Sequence, residues 1–265
     1  MSTPDSAEVL DRLAEIPHIW VRAEEPMSRH TALRVGGPAD WWIVVKDHTA
    51  LLATLALLRS EKIPWRVHWP MGDWLVRDDG LPGATIRLGS EFEKVALQGS
   101  HLILGAAATW SSITAFGAQQ WWSPLGAWPG TVGDLFHTDQ AELLSGLLAR
   151  VRWLSGRSIR EVQLEPGDGP PALSKTSILL EIELRPGLHT VSSKGQASHP
   201  RRPGTLFTEP EPDPDKQISS LLAQAALTGT RLHDWHLAEA EPGTIVQLGR
   251  GTCEQLLLLT KGIRE

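Results

Sequence analysis

His30-Thr31-Ala32-Leu33-Arg34-Val35-Gly36-Gly37-Pro38-Ala39-Asp40 runs directly into the apolar segment Trp41-Trp42-Ile43-Val44-Val45. Two glycines and a proline in succession mark a turn where the backbone needs freedom or must approach a neighbour closely. Glycine-rich turns beside strands are frequent phosphate and dinucleotide sites, so the stretch raises the question of a cofactor. Its spacing is not Gly-x-Gly-x-x-Gly and no helix follows it directly, so it is no dinucleotide fingerprint. Read from the residues alone, it is a tight turn feeding a strand.

Outward from this turn, the chain of 265 residues is long enough to bury a large core. Hydrophobic content of 41% and charged content of 21% are those of an ordinary globular protein. A formal net charge of −6 argues against nucleic-acid binding and against attraction to anionic membranes. Cys253 is the single cysteine, which excludes an internal disulfide and fits a reducing compartment. No signal-peptide pattern follows Met1 and no apolar run approaches about 18 residues, so the expectation is a cytoplasmic protein without membrane insertion. The aromatic set is 12 Trp, 4 Phe and no Tyr, so no reaction step here uses a phenol.

Periodicity predicts an amphipathic helix over residues 5–16, a strand at 41–45, a helix over 49–61 and a strand at 65–69. That β-α-β rhythm favours a parallel pair. Short strands are expected at 84–88, 92–97 and 102–105, a helix from Ser111 to Gln120, then strands at 148–154, 158–164 and 178–184. A polar linker over 187–202 precedes a small tail with a helix near 216–227, a strand near 244–248 and a helix near 254–261. Within that tail, His233 and His236 have a spacing that suits a metal on a helix, but no third ligand stands nearby, so no metal is expected. Asp78-Asp79-Gly80 reads as a turn, and Cys253 as a small core residue.

A second glycine turn, Leu125-Gly126-Ala127-Trp128-Pro129-Gly130-Thr131-Val132-Gly133, changes the reading. Together with residues 30–40, with Leu75–Leu88 and with Gly204-Thr205-Leu206-Phe207, it resembles the UDP-N-acetylenolpyruvoylglucosamine reductase (UDP-N-acetylmuramate dehydrogenase, MurB) family in order and spacing. The resemblance covers nearly the whole chain. It implies an α+β, two-lobed FAD-binding fold of PCMH/MurB type, with a small C-terminal α/β lobe that closes over a UDP-sugar. The lobes are expected at residues 1–88, 89–187 and 188–265, the last apparently truncated. The family's reaction passes hydride from NADPH to FAD and on to an enolpyruvyl group during peptidoglycan biosynthesis. A serine then protonates the carbanion, while an arginine and a glutamate stabilise the enolate. The resemblance places former cofactor contacts at Gly36, Gly37, Gly72, Asp73, Pro129, Gly130, Thr131, Val132 and Gly133, and the proton-donor position at Thr205.

The chain departs from the family where phosphate should lie. A Gly-x-Gly-Ser-Asn loop has become Trp69-Pro70-Met71-Gly72-Asp73, placing side chains where glycines let the backbone touch a pyrophosphate. A carboxylate such as Asp73 about 5 Å from a phosphate costs on the order of 3 kcal/mol at an effective dielectric near 20. Asp134 replaces a glycine after the second turn, and Thr208-Glu209 stands where the family has Lys-Asn. The Tyr-Arg-x-Ser segment is missing from residues 166–172, and the C-terminal glutamate has no counterpart unless Glu265 substitutes for it. Both charge stabilisers are gone, and electrostatic stabilisation usually contributes more to such catalysis than any other effect.

The expectation is therefore a catalytically inactive relative without tightly bound FAD, acting by binding a protein partner in cell-wall or division machinery. The alternatives are an active, divergent FAD- and NADPH-dependent reductase, and a small-molecule binding module using the old cleft. The first predicts that Trp69, Met71 and Trp128 turn inward into the former cofactor space. Exposed patches at Trp41-Trp42 or Trp121-Trp122 would serve partner binding.

Overall fold

Val9 and Leu13, about one turn apart, are buried along helix α1 (Ser6–Ala14), as the apolar face of residues 5–16 predicts. Asp47 starts helix α2 (His48–Ser60), its carboxylate accepting the Ala50 N–H at 2.7 Å, and Leu51, Leu55 and Leu58 form the buried face. The structure, a computed structural model, describes residues 6–69, 75–116, 130–137, 139–174, 176–185, 222, 225, 227, 229–238 and 244–264. The expected helix near 216–227 lies mostly outside them.

Strands β1 (Ile19–Pro26), β2 (Pro38–Val45), β3 (Trp65–Val67) and β4 (Leu81–Leu88) form a sheet in the order β1-β2-β4-β3. β3 pairs in parallel with β4, Trp65 facing Ala84, and β4 separates β3 from β2. The β-α-β rhythm thus points to a genuine crossover but to the wrong neighbour. Ala84, Thr85, Ile86 and Leu88 are buried, which suits an inner strand covered on both faces; the short β3, half-buried throughout, takes the edge.

The second sheet is antiparallel, in the order β5 (Val95–Gln98), β6 (His101–Gly105), β9 (Ile178–Leu184), β7 (Leu148–Ser155) and β8 (Ser158–Gln163). The strand expected at 92–97 begins as a 3-10 turn, Ser90–Glu93, which buries Phe92 before β5 starts. On one face of this sheet Arg150 reaches Glu183 at 2.8 Å and Glu181 at 3.2 Å, while Arg152 reaches Glu161 at 3.3 Å. A third, smaller sheet contains β10 (Arg231–Leu232), β11 (Trp235–Leu237) and β12 (Ile245–Gln247), all antiparallel. The remaining helices are α3 (Trp110–Ala115), α4 (Val132–Phe136) and α5 (Cys253–Arg264).

The chain divides into two compact units, Met1–Glu25 with Ala39–Gly72 and Pro82–Gly195, and Pro26–Pro38 with Asp73–Leu81 and Gln196–Glu265. The first holds both larger sheets over one core that includes Ile43, Leu55, Ile86, Phe92, Leu104 and Val151. The second packs Val35, Leu237, Ile245, Leu256 and Leu259 around the buried Trp235. A purely sequential division at 88 and 187 differs from this one, because residues 26–38 and 73–81 pack with the C-terminal part. Among the described residues, no helix is long and apolar enough to cross a membrane.

Candidate functional site

The second glycine turn forms the N-terminus of α4. Thr131 is its N-cap and Asp134 completes a capping box. Thr131 N–H and Oγ1–H both donate to Asp134 Oδ2 at 2.7 Å, and Asp134 N–H donates to Thr131 Oγ1 at 3.2 Å. Val132 N–H donates to Ala108 O at 3.0 Å, and Gly133 N–H to Ala106 O at 2.7 Å. Each N–H of residues 131–134 thus has an acceptor inside the protein. A phosphate cradle needs such groups directed at the ligand. Here the anion at the turn is the protein's own Asp134, 3% exposed.

Trp69 lies directly against this turn. A β-carbon on Gly133 would lie 2.0 Å from the indole Cζ3, so the ring covers the glycine face. Trp69 is 7% exposed and its ring centroid is 5.1 Å from that of His137. It has turned inward, as the inactive reading predicts; Met71 and Trp128 lie outside the described residues. The His137 side chain is solvent-exposed overall, yet protein crowded around the imidazole pushes its pKa below the ordinary value, with Asp134 opposing the shift.

Beside Trp69 remains a cavity of about 410 Å³, lined by His68, Arg87, Glu93, Thr109, Ser112 and Thr131 among others. Its polar groups are largely committed to one another. Arg87 pairs with Glu93 at 3.3 Å, and Thr109 Oγ1 bonds to the Ser111 and Ser112 hydroxyls at 2.9 and 3.1 Å. Trp41 and Trp42 are 8% and 1% exposed, so they form no surface patch; Trp121 and Trp122 lie outside the described residues.

Gly36 and Gly37 belong to the other unit. Gly36 has φ +120°, and a β-carbon on it would meet Val76 Cβ at 2.7 Å; one on Gly37 would meet the Asp78 carbonyl oxygen at 2.1 Å. The first glycine turn of the sequence therefore supplies close backbone packing against residues 76–80. Asp78 extends that packing, accepting the N–H groups of Cys253 at 3.0 Å and Glu254 at 2.8 Å at the start of α5. Nothing in the run Asp78-Asp79-Gly80 announces a cap for a helix so distant in sequence.

Of the residues marked by resemblance, Gly130, Thr131, Val132 and Gly133 come together at α4, while Gly36 and Gly37 lie in the second unit. Gly72, Asp73, Pro129, Thr205, Glu209 and Glu265 fall outside the described residues. His233 sits in the β10–β11 turn with φ +53° and His236 on β11, so they do not share a helix face. Among the described residues, no group of three or more His, Cys, Asp or Glu side chains is placed to hold a metal ion.

Comparison with known proteins adds kinship to this geometry. The chain is 29% identical to UDP-N-acetylenolpyruvoylglucosamine reductase 2 of Symbiobacterium thermophilum over 92% of its length and 86% of that protein. It is 28% identical to the UDP-N-acetylenolpyruvoylglucosamine reductase of Geobacter sulfurreducens, covering 96% and 93% of the two chains. The crystal structure of the reductase MurB from Thermus caldophilus superposes with a TM-score of 0.67 at 21% identity, covering 93% and 94%, which shows a common fold. No protein-family model matches the chain.

Proposed function

We propose that this chain, by sequence and fold a member of the UDP-N-acetylenolpyruvoylglucosamine reductase family, has lost tight FAD binding and acts by binding a protein partner. The observation that carries this reading is the seat of Trp69 on Gly133, with the N–H groups of residues 131–134 all bonded internally. A pyrophosphate at this turn would face an indole and the Asp134 carboxylate. The described residues do not fit the family's cofactor. Kinship suggests where the partner belongs, in peptidoglycan synthesis or division.

A second reading is an active, divergent NADPH-dependent flavin reductase. What favours it is the length of the kinship, since the chain spans 86% and 93% of two relatives named as reductases. A small-molecule binding role draws support from the cavity of about 410 Å³ beside Trp69, a volume in the range of ligand pockets.

The absorbance spectrum of the purified protein after gel filtration decides between the first two. A colourless protein that takes up no added FAD and oxidises no NADPH in the presence of the enolpyruvyl substrate is the expected result. A flavin spectrum that survives gel filtration overturns the cofactor-free reading.

A further inference from the structure

The second unit contains an open groove of about 850 Å³. One wall is the chain from Thr244 through Thr252 without a gap, and the other includes Ser28, Ala32, Leu33, Arg34, Val35 and Gly36. Neighbouring residues of a strand point to opposite faces. Ile245 is buried and Val246 exposed, yet both line the groove, so the groove runs along the edge of β12 rather than across a face.

That edge is free among the described residues. β12 is the last strand of its sheet and pairs only with β11. Ala238 N–H donates to Thr244 O and Leu248 N–H to Asp234 O, which fixes the alternation. The backbone groups of Thr244, Val246 and Leu248 face β11, and those of Ile245 and Gln247 face away from it. Val246 and Leu248 also expose apolar side chains.

Arg34, Arg250 and Asp78 are the charged residues that line the groove, which leaves it one positive charge in excess. Arg34 is held at φ +53°, an unfavourable conformation for a long side chain, by Thr31, whose hydroxyl donates to Val35 O and accepts Val35 N–H. Arg250 lies on the opposite wall. Among the described residues neither guanidinium has an acidic partner. The nearby carboxylates are committed to backbone N–H groups, Asp78 at α5 and Asp234 to Arg250 N–H at 2.9 Å.

We propose that an extended acidic segment of another polypeptide adds as a strand along the free edge of β12, its carboxylates meeting Arg34 and Arg250. Main-chain bonds would supply affinity and the arginines the preference for acidic side chains. The proposal rests on the partner-binding reading above and names the chemistry of the partner.

The test is fluorescence anisotropy of labelled, end-capped hexapeptides with the full chain. One alternates glutamate and valine, one replaces glutamate by lysine, and one is the acidic peptide N-methylated at alternate amides. Saturable binding of the first is expected, with the other two at least about tenfold weaker. Arg34→Gln and Arg250→Gln should each weaken it about tenfold at an unchanged melting temperature, and Arg157→Gln, in the first unit, should not. Absence of saturable peptide binding overturns the proposal, as does equal binding of the lysine or N-methylated peptide, or of the parent and both arginine variants. Saturable binding of inorganic pyrophosphate in place of the peptide also overturns it, in favour of a small-anion site. A flavin-loaded protein would remove the cofactor-free reading while leaving the peptide result to stand or fall by itself.

Discussion

Trp69 occupies the space that a side chain on Gly133 would need: its Cζ3 lies 2.0 Å from the position of the missing β-carbon. The two residues are therefore coupled, and a double-mutant cycle reads the coupling. Gly133→Ala should cost about 1–3 kcal/mol in the parent protein, because the ring must shift. In a Trp69→Ala background the same change should stabilise by about 0.5–1 kcal/mol, since alanine is the better helix residue. Urea unfolding of the four proteins checks this, and additive effects would mean that the ring does not press on the glycine.

The Asp134 carboxylate is the internal anion of the α4 turn. Asp134→Ala leaves the buried Thr131 N–H and hydroxyl without their acceptor, an expected loss of about 1–3 kcal/mol. Faster hydrogen exchange at the Thr131 amide should accompany it, and exchange unchanged from the parent would contradict the capping box.

Much of the fold is legible in the chain where the signals are local. Alternating apolar residues mark β7, β8 and β9, and the Asp47 cap with its leucine face marks α2. The approach of Trp69 to Gly133 is legible only as a substitution of glycine by a large ring; its target is distant in sequence. Strand β1 gives no sequence signal because Arg22, Glu24 and Glu25 interrupt any alternation, as suits an edge strand. The β10–β11 hairpin gives no sequence signal, because His233 makes its turn at positive φ without a glycine. Asp78 reads as a turn residue; its role depends on α5, whose partner no short-range pattern specifies.

Acid should weaken the start of α2. The Asp47 carboxyl is held below its ordinary value of 3.8, first by the Ala50 N–H and then by the His18 side chain. A lowered folded-state value stabilises the ionised form, so the contribution is complete above that ordinary value and is lost as pH falls through the folded one. Asp47→Ala should cost about 1 kcal/mol at neutral pH. The difference from the parent should shrink as denaturation is followed below about pH 4, and a difference that grows on acidification would contradict the assignment.

Cys253 reports on the Asp78 cap because it is the single cysteine. Burial first, then the Asp78 carboxylate, raises its thiol above the ordinary value, with Asp79 adding and Arg77 opposing. The folded protein should therefore react slowly with a thiol reagent and rapidly in denaturant. Asp78→Ala removes the acceptor of two N–H groups at the first turn of α5. A lost cap of about 1.4 kcal/mol would raise the labelling rate roughly tenfold through local opening. Removing the carboxylate charge also eases thiol ionisation, so the two effects must be separated. Opening multiplies the rate at every pH, whereas easier ionisation only slides the rate curve toward lower pH. Asp78→Asn removes the charge but keeps a side-chain oxygen for one N–H. It should give most of the slide and little of the multiplication. Equal multiplication in both variants would mean that charge, rather than the cap, holds α5 closed.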